Sequence, residues 1–362
     1  MTKITGIIAE FNPFHKGHQY LLEQADGVKI VAMSGNWMQR GEPAFIDKWT
    51  RAEMALQNGA DLVVELPVLV AVQGADYFAA GAVEILRTLG VDELLFGTEN
   101  DEKTDYQRIS EIYAAKSMEM AAYLAALPEL MSYPAKAERM WSHFAEVKFD
   151  GGTPNHILGL AYAKAASKTN IRLRTVQRET NYNDTVLSGS LASATAIRHN
   201  WTKAQDVVPE NCWDLLQNAP KTSWADFWEL LRYKIISTLD LTQIYQVNIE
   251  LASRIKASIK QAQNLEELIE LVYTKRYTKG HIRRILVYIL LNIRRDFTLP
   301  EQVHVLGFTS AGQKVLANAR GKLCTRIGKF PWDLQTQRAD DIYRLGNQKM
   351  KEQAFGRKPL RS

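Results

Sequence analysis

The first hundred residues alternate two patterns, and that alternation restricts the fold more than any other feature of the chain. Short apolar runs at Ile4–Ala9, Lys29–Met33, Asp61–Leu66 and Glu93–Gly97 have the length and β-branched content of buried strands. Between them, His18–Ala25, Lys48–Asn58 and Ala75–Leu89 carry helical spacing, and Gly59 and Gly90 stand where such helices stop. Strand followed repeatedly by helix predicts an α/β layer fold around a parallel sheet, with right-handed crossovers. Asp105–Glu146 reads as Ala- and Met-rich helix broken near Pro128 and Pro134, Ile171–Gln177 as a further strand and Ala192–Asn200 as a further helix. This domain is expected to span residues 1–200.

Residues 201–362 are expected to form a mainly helical C-terminal domain packed closely on the first. Helical spacing runs through Trp224–Leu239, Val247–Gln263, Leu265–Tyr273 and Thr278–Arg295, and Leu286–Ile293 is apolar on nearly every face, as a central bundle helix would be. Gln302–Leu306 reads as one added strand and Ala311–Ala319 as a helix. The longest strongly apolar stretches, Leu66–Ala75 and Ile285–Ile293, are about half of what spans a bilayer, and the N-terminus lacks a signal-peptide core. A cytoplasmic protein with no membrane partner is expected. Cys212 and Cys324 are too sparse for a disulfide framework or a zinc site and are expected to be reduced.

The net charge of +5 conceals a segregation: residues 271–362 hold 19 Lys and Arg against 6 Asp and Glu, whereas the preceding 270 residues are net acidic. A basic end joined to an acidic, sheet-forming body suits a small-molecule site coupled to a polyanion-binding surface; a solvated helical face is the plainer alternative.

Chemistry concentrates directly after the first strand, in Gly6-Ile7-Ile8-Ala9-Glu10-Phe11-Asn12-Pro13-Phe14-His15-Lys16-Gly17-His18. A tight turn from a strand into a helix opened by His-x-Gly-His puts two imidazoles and free backbone N–H groups at a helix N-terminus, where anions bind. Gly17 admits a phosphate close to the backbone. His15 and His18 could stabilise the charge that develops as pyrophosphate leaves, without acting as nucleophiles. Metal ligation or satisfied core histidines are the alternatives, but the end of the first parallel strand is where such sheets bind ligands.

This run resembles the HIGH-motif nucleotidyltransferase-like superfamily, whose members attack the ATP α-phosphate and release pyrophosphate. A second run, Ser34-Gly35-Asn36-Trp37-Met38-Gln39-Arg40-Gly41-Glu42-Pro43-Ala44 followed by Asp47-Lys48-Trp49-Thr50-Arg51-Ala52, follows the second strand. With the first run, and with LLFGTE at 94–99, PNHILG at 154–159 and VLGF at 305–308, it resembles the tRNA(Met) cytidine acetate ligase family over nearly the whole chain. The fold so implied is a Rossmann-like, parallel-sheet HIGH nucleotidyltransferase domain followed by the helical one. The implied reaction activates acetate with ATP as acetyladenylate, then acetylates the wobble cytidine of elongator tRNA(Met) to N(4)-acetylcytidine. ATP would be a substrate, accompanied by Mg²⁺, with no tightly bound cofactor and no protein metal site.

Carried onto matching positions, the resemblance implies ATP contacts from the loop Ile7 to Tyr20, which includes Gln19, and from Gly97, Asn155 and Arg178. On its own terms Gly97 reads as a turn residue and Asn155 as a helix N-cap, while Arg178 could carry phosphate charge. Ser193-Ala194-Thr195-Ala196-Ile197-Arg198 resembles the superfamily's triphosphate clamp, through Ser193, Thr195 and Arg198; a plain helix cap at Ser193 is the alternative. Two departures stand out. Tyr182-Asn183-Asp184 replaces a common Tyr-His-Asp, so no acid–base role is assigned there, and His156 replaces a usual second Asn. Phe11, Ser34, Gly35 and Asn36 are acetate-pocket candidates, with ordinary loop packing equally open.

Lys275, Arg276, Lys279, Arg283 and Arg284 form the densest basic run and are the candidate tRNA contacts, with twelve more Lys and Arg between Lys314 and Arg361. Tyr277 could stack on a base, though a core aromatic is the favoured reading. Three rival functions remain from residues alone: an adenylyltransferase acting on a small phosphorylated acceptor, an RNA-binding factor that senses ATP without chemistry, and metal-dependent hydrolysis through His15 and His18, which lacks nearby carboxylates apart from Glu10.

Overall fold

The structure is a computed structural model that describes all residues except 1, 100–103, 130, 150–153, 179–191 and 320. Tyr182-Asn183-Asp184 therefore lies outside the described residues. The chain begins β1 (Ile4–Ala9), α1 (Lys16–Glu23), β2 (Val28–Ser34), α2 (Lys48–Gln57), β3 (Leu62–Leu66), α3 (Val68–Ala71), α4 (Ala75–Thr88) and β4 (Glu93–Thr98). It continues with α5 (Tyr106–Ala126), α6 (Tyr133–Ala145), α7 (Pro154–Ala166), β5 (Arg172–Gln177) and α8 (Ala194–His199). The βα repeat read from the apolar periods is present, and β1–β5 pair in parallel in the order β5-β4-β1-β2-β3. The chain steps from β1 to β2 and β3, then crosses to β4 on the other flank of β1. That reversal opens a crevice at the carboxyl ends of β1 and β4.

Two apolar layers close the sheet. Ile7, Val31, Val63 and Leu95 face α1, α2 and α8, whereas Ile8, Ala32, Val64 and Leu94 face α4 and α7, as period-2 alternation in a doubly covered sheet requires. α9 (Glu210–Asn218) packs its Cys212 and Leu216 into the layer of α1 and α2, and a third cluster gathers the helices α10 (Trp224–Ser237), α11 (Ile249–Ser258), α12 (Leu265–Val272) and α13 (Lys279–Leu290). Within it Ile282 and Ile285–Ile289 are entirely buried, so α13 is the central helix its composition predicts. Among the described residues no helix is long and apolar enough to cross a membrane.

Residues 201–362 are not helical throughout. After α13 the chain returns to the sheet: β6 (Val303–Phe308) lies antiparallel on β3, and α14 (Ser310–Asn318), β7 (Leu323–Cys324), α15 (Leu334–Leu345) and β8 (Leu360–Arg361) follow, with β7 and β8 parallel to β6. The expected strand at Gln302–Leu306 is thus the first of three that extend the sheet.

A buried polar cluster fastens this return. Lys48 Nζ donates to Glu65 (2.7 and 2.8 Å) and to Asp340 Oδ2 (2.6 Å), and His304 Nδ1 lies 2.7 Å from Glu65 Oε2. Asn36 joins it, donating to Asp340 Oδ1 (2.8 Å) and Gln353 Oε1 (3.1 Å) while accepting from the Lys48 N–H. One cation serves two carboxylates. Burial outweighs the pull of Lys48 on Asp340, and Glu65 adds repulsion, so the Asp340 carboxyl is pushed up to about 7 from 3.8. The folded state then keeps a proton that the unfolded chain releases near 3.8, so this contribution to stability is complete below that value and is lost as pH rises through about 7. Asp340→Asn should flatten that loss: between about pH 5 and pH 8 its urea midpoint should shift less than that of the native chain.

Candidate active site

The turn after β1 is shaped residue by residue. Phe11 takes a left-handed backbone (φ 48°), Asn12–Pro13 is a cis peptide, and α1 begins two residues earlier than its apolar spacing suggests. Asn12 fixes the loop: its side chain accepts from the Phe45 N–H (2.7 Å), and its carbonyl accepts from Arg198 (2.8 Å). Arg51, fully buried, donates to the carbonyls of Glu10 (2.6 Å), Ser34 (3.0 Å), Gly35 and Ile46, tying the ends of β1 and β2 together. Its place in an ordinary helical pattern gave no sign of this in the sequence.

His15 is the N-cap of α1, its Nδ1 accepting from the Gly17 N–H at 3.1 Å. That bond places the proton of the neutral ring on Nε2. An added Cβ on Gly17 would stand 3.0 Å from the His15 ring, so the cap itself requires glycine there. The His15 and His18 rings stack with centroids 3.6 Å apart, and Phe11 packs on His18 at 4.8 Å. Burial, then Arg178 and Arg198, hold His15 down at about 3; burial, then His15 and Arg178, hold His18 well below its ordinary value. Both are neutral hydrogen-bonding groups at physiological pH.

They face the cleft at the β1/β4 crevice. Ile8, Ala9, Glu10, Phe11, Asn12, Gly97, Asn155, Arg178, Ser193 and Arg198 line it with the histidines, so most expected ATP contacts converge. Others do not reach it. Ile7 and Phe14 are buried in the core beneath, Tyr20 faces solvent, and Lys16 donates to the Asp206 carbonyl (2.6 Å). Pro13, Gly17 and Gln19 belong to the loop and helix behind the lining. Thr195 Oγ1 accepts from Arg198 (3.2 Å), and Ser193 Oγ caps α8 by accepting from the Ala196 N–H (3.0 Å), as the plainer reading of Ser193 expects.

Gly97 lies close against Arg178: a Cβ there would stand 3.1 Å from its side chain, which would have to shift slightly. Asn155 is not an N-cap. It is the second residue of α7, and its amide donates to Glu99, whose other oxygen accepts from the His156 N–H (3.1 Å). His156 turns inward, 2.6 Å from the Tyr106 hydroxyl, and is fully buried. Phe78 and Tyr162 shape the cleft without any motif to announce them, while Phe96 and Glu99 stand in the LLFGTE run without a role assigned from sequence.

The second loop divides. Gln39 and Arg40 reach the cleft, but Ser34, Gly35 and Asn36 do not, because Asn36 is engaged by Asp340 and Gln353 and Gly35 packs on Glu65, 2.5 Å from where a Cβ would stand. Of the four acetate-pocket candidates only Phe11 lines the cleft. The basic run is also tempered. Arg283 makes two 2.9 Å contacts with Glu266, Arg276 lies 3.4 Å from Glu250 and Lys279 pairs with Glu270. Tyr277 is a core aromatic, bonded to Asn248 (2.7 Å) and Glu250 (3.0 Å).

Residues 2–358 match the HIGH Nucleotidyl Transferase family. The chain belongs to the HIGH nucleotidyl transferase family. Within it, the chain is 56% identical over 376 residues to the tRNA(Met) cytidine acetate ligase of Lactococcus lactis subsp. cremoris (strain MG1363), covering 99% of both chains. The protein of the same name from Streptococcus pneumoniae (strain JJA) is 56% identical over 363 residues, 99% of this chain and 98% of that one. Among solved structures, Thermotoga maritima TmcAL in its apo form superposes with a TM-score of 0.85 at 28% identity over 99% of each chain. The same protein bound with alpha-thio ATP gives 0.85 at 29% identity over 99% of this chain and all of that one.

Proposed function

We propose that this protein is an ATP-dependent tRNA(Met) cytidine acetate ligase of the cytoplasm. The observation that carries the reading is the pair of neutral, stacked histidines between Arg178 and Arg198, in a chain that matches proteins of that name from end to end. ATP lies along the crevice with adenosine toward Gly97 and Asn155 and phosphates toward the loop Ile7 to Tyr20, Arg178, Ser193, Thr195 and Arg198. Mg²⁺ enters with the triphosphate. An acetate oxygen attacks the α-phosphorus, pyrophosphate leaves, and His15 Nε2–H and His18 donate to the oxygens on which charge accumulates. Neutral donors suit this step because they need not be desolvated as cations beforehand. The wobble cytidine, drawn out of its stack, then takes the acetyl group on its exocyclic amine.

The reading is tested by ATP/pyrophosphate exchange with and without acetate, followed by unmodified elongator tRNA(Met) and nucleoside mass analysis. Acetate-dependent exchange together with N(4)-acetylcytidine is expected. Exchange indifferent to acetate would mean another acid or acceptor; nucleotide binding with neither exchange nor product would mean a sensor.

For tRNA docking the surface of Lys275, Arg276, Lys279, Arg283 and Arg284 is assigned. Phosphates must there displace Glu250, Glu266 and Glu270, which hold Arg276, Arg283 and Lys279. Replacing those three glutamates by glutamine should therefore tighten tRNA binding and steepen its salt dependence, by roughly 0.7 to 0.9 in log–log slope for each further phosphate neutralised. Filter binding across a salt series reads this. Unchanged affinity both in that variant and after charge reversal of Arg283 and Arg284 would move the docking surface elsewhere.

A further inference from the structure

The cleft contains one group that adenylation does not need. Glu10 follows β1 directly and is the single carboxylate among the described residues that line the cleft, which is otherwise furnished for anions by His15, His18, Arg40, Arg178 and Arg198. Its Oε1 accepts from the Gln39 N–H at 2.7 Å, which aims the group without neutralising it. Lining the same cleft is Tyr162 of α7, whose hydroxyl has no hydrogen bond among the described residues. Glu10 is the charge that acts on that phenol, and Phe96 holds the ring edge-on at 5.2 Å. The phenol oxygen is not one of the buried polar atoms left without a partner, so it is reached from the cleft, in a wall formed also by Phe78 and Phe96, and is free to hydrogen-bond a ligand there. Neither ATP nor acetate calls for a negative side chain here.

We propose that Glu10 and Tyr162 serve the second half of the reaction, Glu10 taking the proton from the attacking cytidine amine and Tyr162 donating a hydrogen bond to the acyl oxygen. This rests on the acetate ligase reading. The amine lone pair attacks the acetyl carbon of the adenylate and the C–N bond forms. The bond from acetyl carbon to phosphate oxygen breaks, and AMP departs with the electron pair. The amine proton passes to the Glu10 carboxylate and then to solvent, so acetyladenylate and cytidine give N(4)-acetylcytidine, AMP and one proton. Burial raises the Glu10 carboxyl from its ordinary value, and Glu42 adds to this; the Gln39 amide, Arg40 and Arg198 oppose it. Such tuning moves a base toward the pH at which it works. Protonation disables it, so the transfer rate falls as pH drops through the Glu10 pKa.

The test compares two rates in the full chain: acetate-dependent ATP/pyrophosphate exchange, and single-turnover acetyl transfer to unmodified tRNA(Met) from enzyme preloaded with ATP and acetate. Glu10→Gln keeps the acceptor for the Gln39 N–H, and exchange itself reports that the site is folded. Transfer should fall about 100-fold further than exchange, and the acid limb of its pH profile should disappear. Tyr162→Phe, which removes no hydrogen bond present in the resting site, should lower transfer at least tenfold more than exchange. Losses that are equal in the two assays, or transfer at the native rate in either variant, overturn the proposal while leaving the ligase reading intact. Absence of acetate-dependent exchange in the native protein overturns the ligase reading first.

Discussion

Lys48→Met should cost the fold about 3 to 5 kcal/mol, because it strands Glu65 and Asp340 together in the interior without their shared cation. Domains of this kind typically hold about 5 to 15 kcal/mol in all, so the variant should unfold at far lower denaturant, and its loss should be worst above pH 7 where both carboxyls ionise. Urea titration at two pH values reads both effects. The loss should shrink in Lys48→Met/Asp340→Asn, since only one buried charge is then left unpaired. A single-variant cost below about 1 kcal/mol would mean that the two carboxyls share a proton and have no need of the lysine.

The largest effect on chemistry should come from His18. His18→Ala removes a preorganised donor and should lower the exchange rate about 10² to 10³-fold, equivalent to about 2.7 to 4 kcal/mol of transition-state stabilisation, with tRNA affinity nearly unchanged. His15→Ala is the less clean variant, since it also deletes the cap on α1 and adds about 0.5 to 2 kcal/mol of lost helix stability. Because His15 is held at about 3 and His18 also lies well below 6.5, the native exchange rate should show no histidine limb near pH 6.5. A bell centred on that pH would contradict the neutral-donor geometry.

How far the sequence could be read depends on whether a signal is local. The strands β1–β4 declare themselves through apolar runs of strand length, and the His-x-Gly-His turn through its position after one of them. The return of residues 303–361 is a different case. β7 and β8 are two residues each, too short for any period, and α15 is too polar to stand out. What holds them is contact across the fold: Lys48, Glu65 and Asp340 are ordinary charges in sequence and become a cluster only when three elements meet. Tyr162 was hidden for the same reason, inside a helix pattern that explains itself, and Glu99 at the end of LLFGTE gave no sign that it would hold Asn155. The basic run was legible as charge but not as pairing, since the number of Lys and Arg says nothing of the glutamates on α11 and α12 that face Arg276, Lys279 and Arg283.

The late return of the chain to its own sheet also sets an order of assembly. Asn36 meets Asp340 across 304 positions and Glu65 meets His304 across 239, so the loop that brings Gln39 and Arg40 to the cleft is pinned by residues that leave the ribosome hundreds of codons later. Until then the far edge of β3 has no partner and Lys48 no second carboxylate. A nascent chain stalled short of about residue 353 would carry every motif of the nucleotide site and yet have one wall unfastened, so activity is withheld until that distant segment has been made.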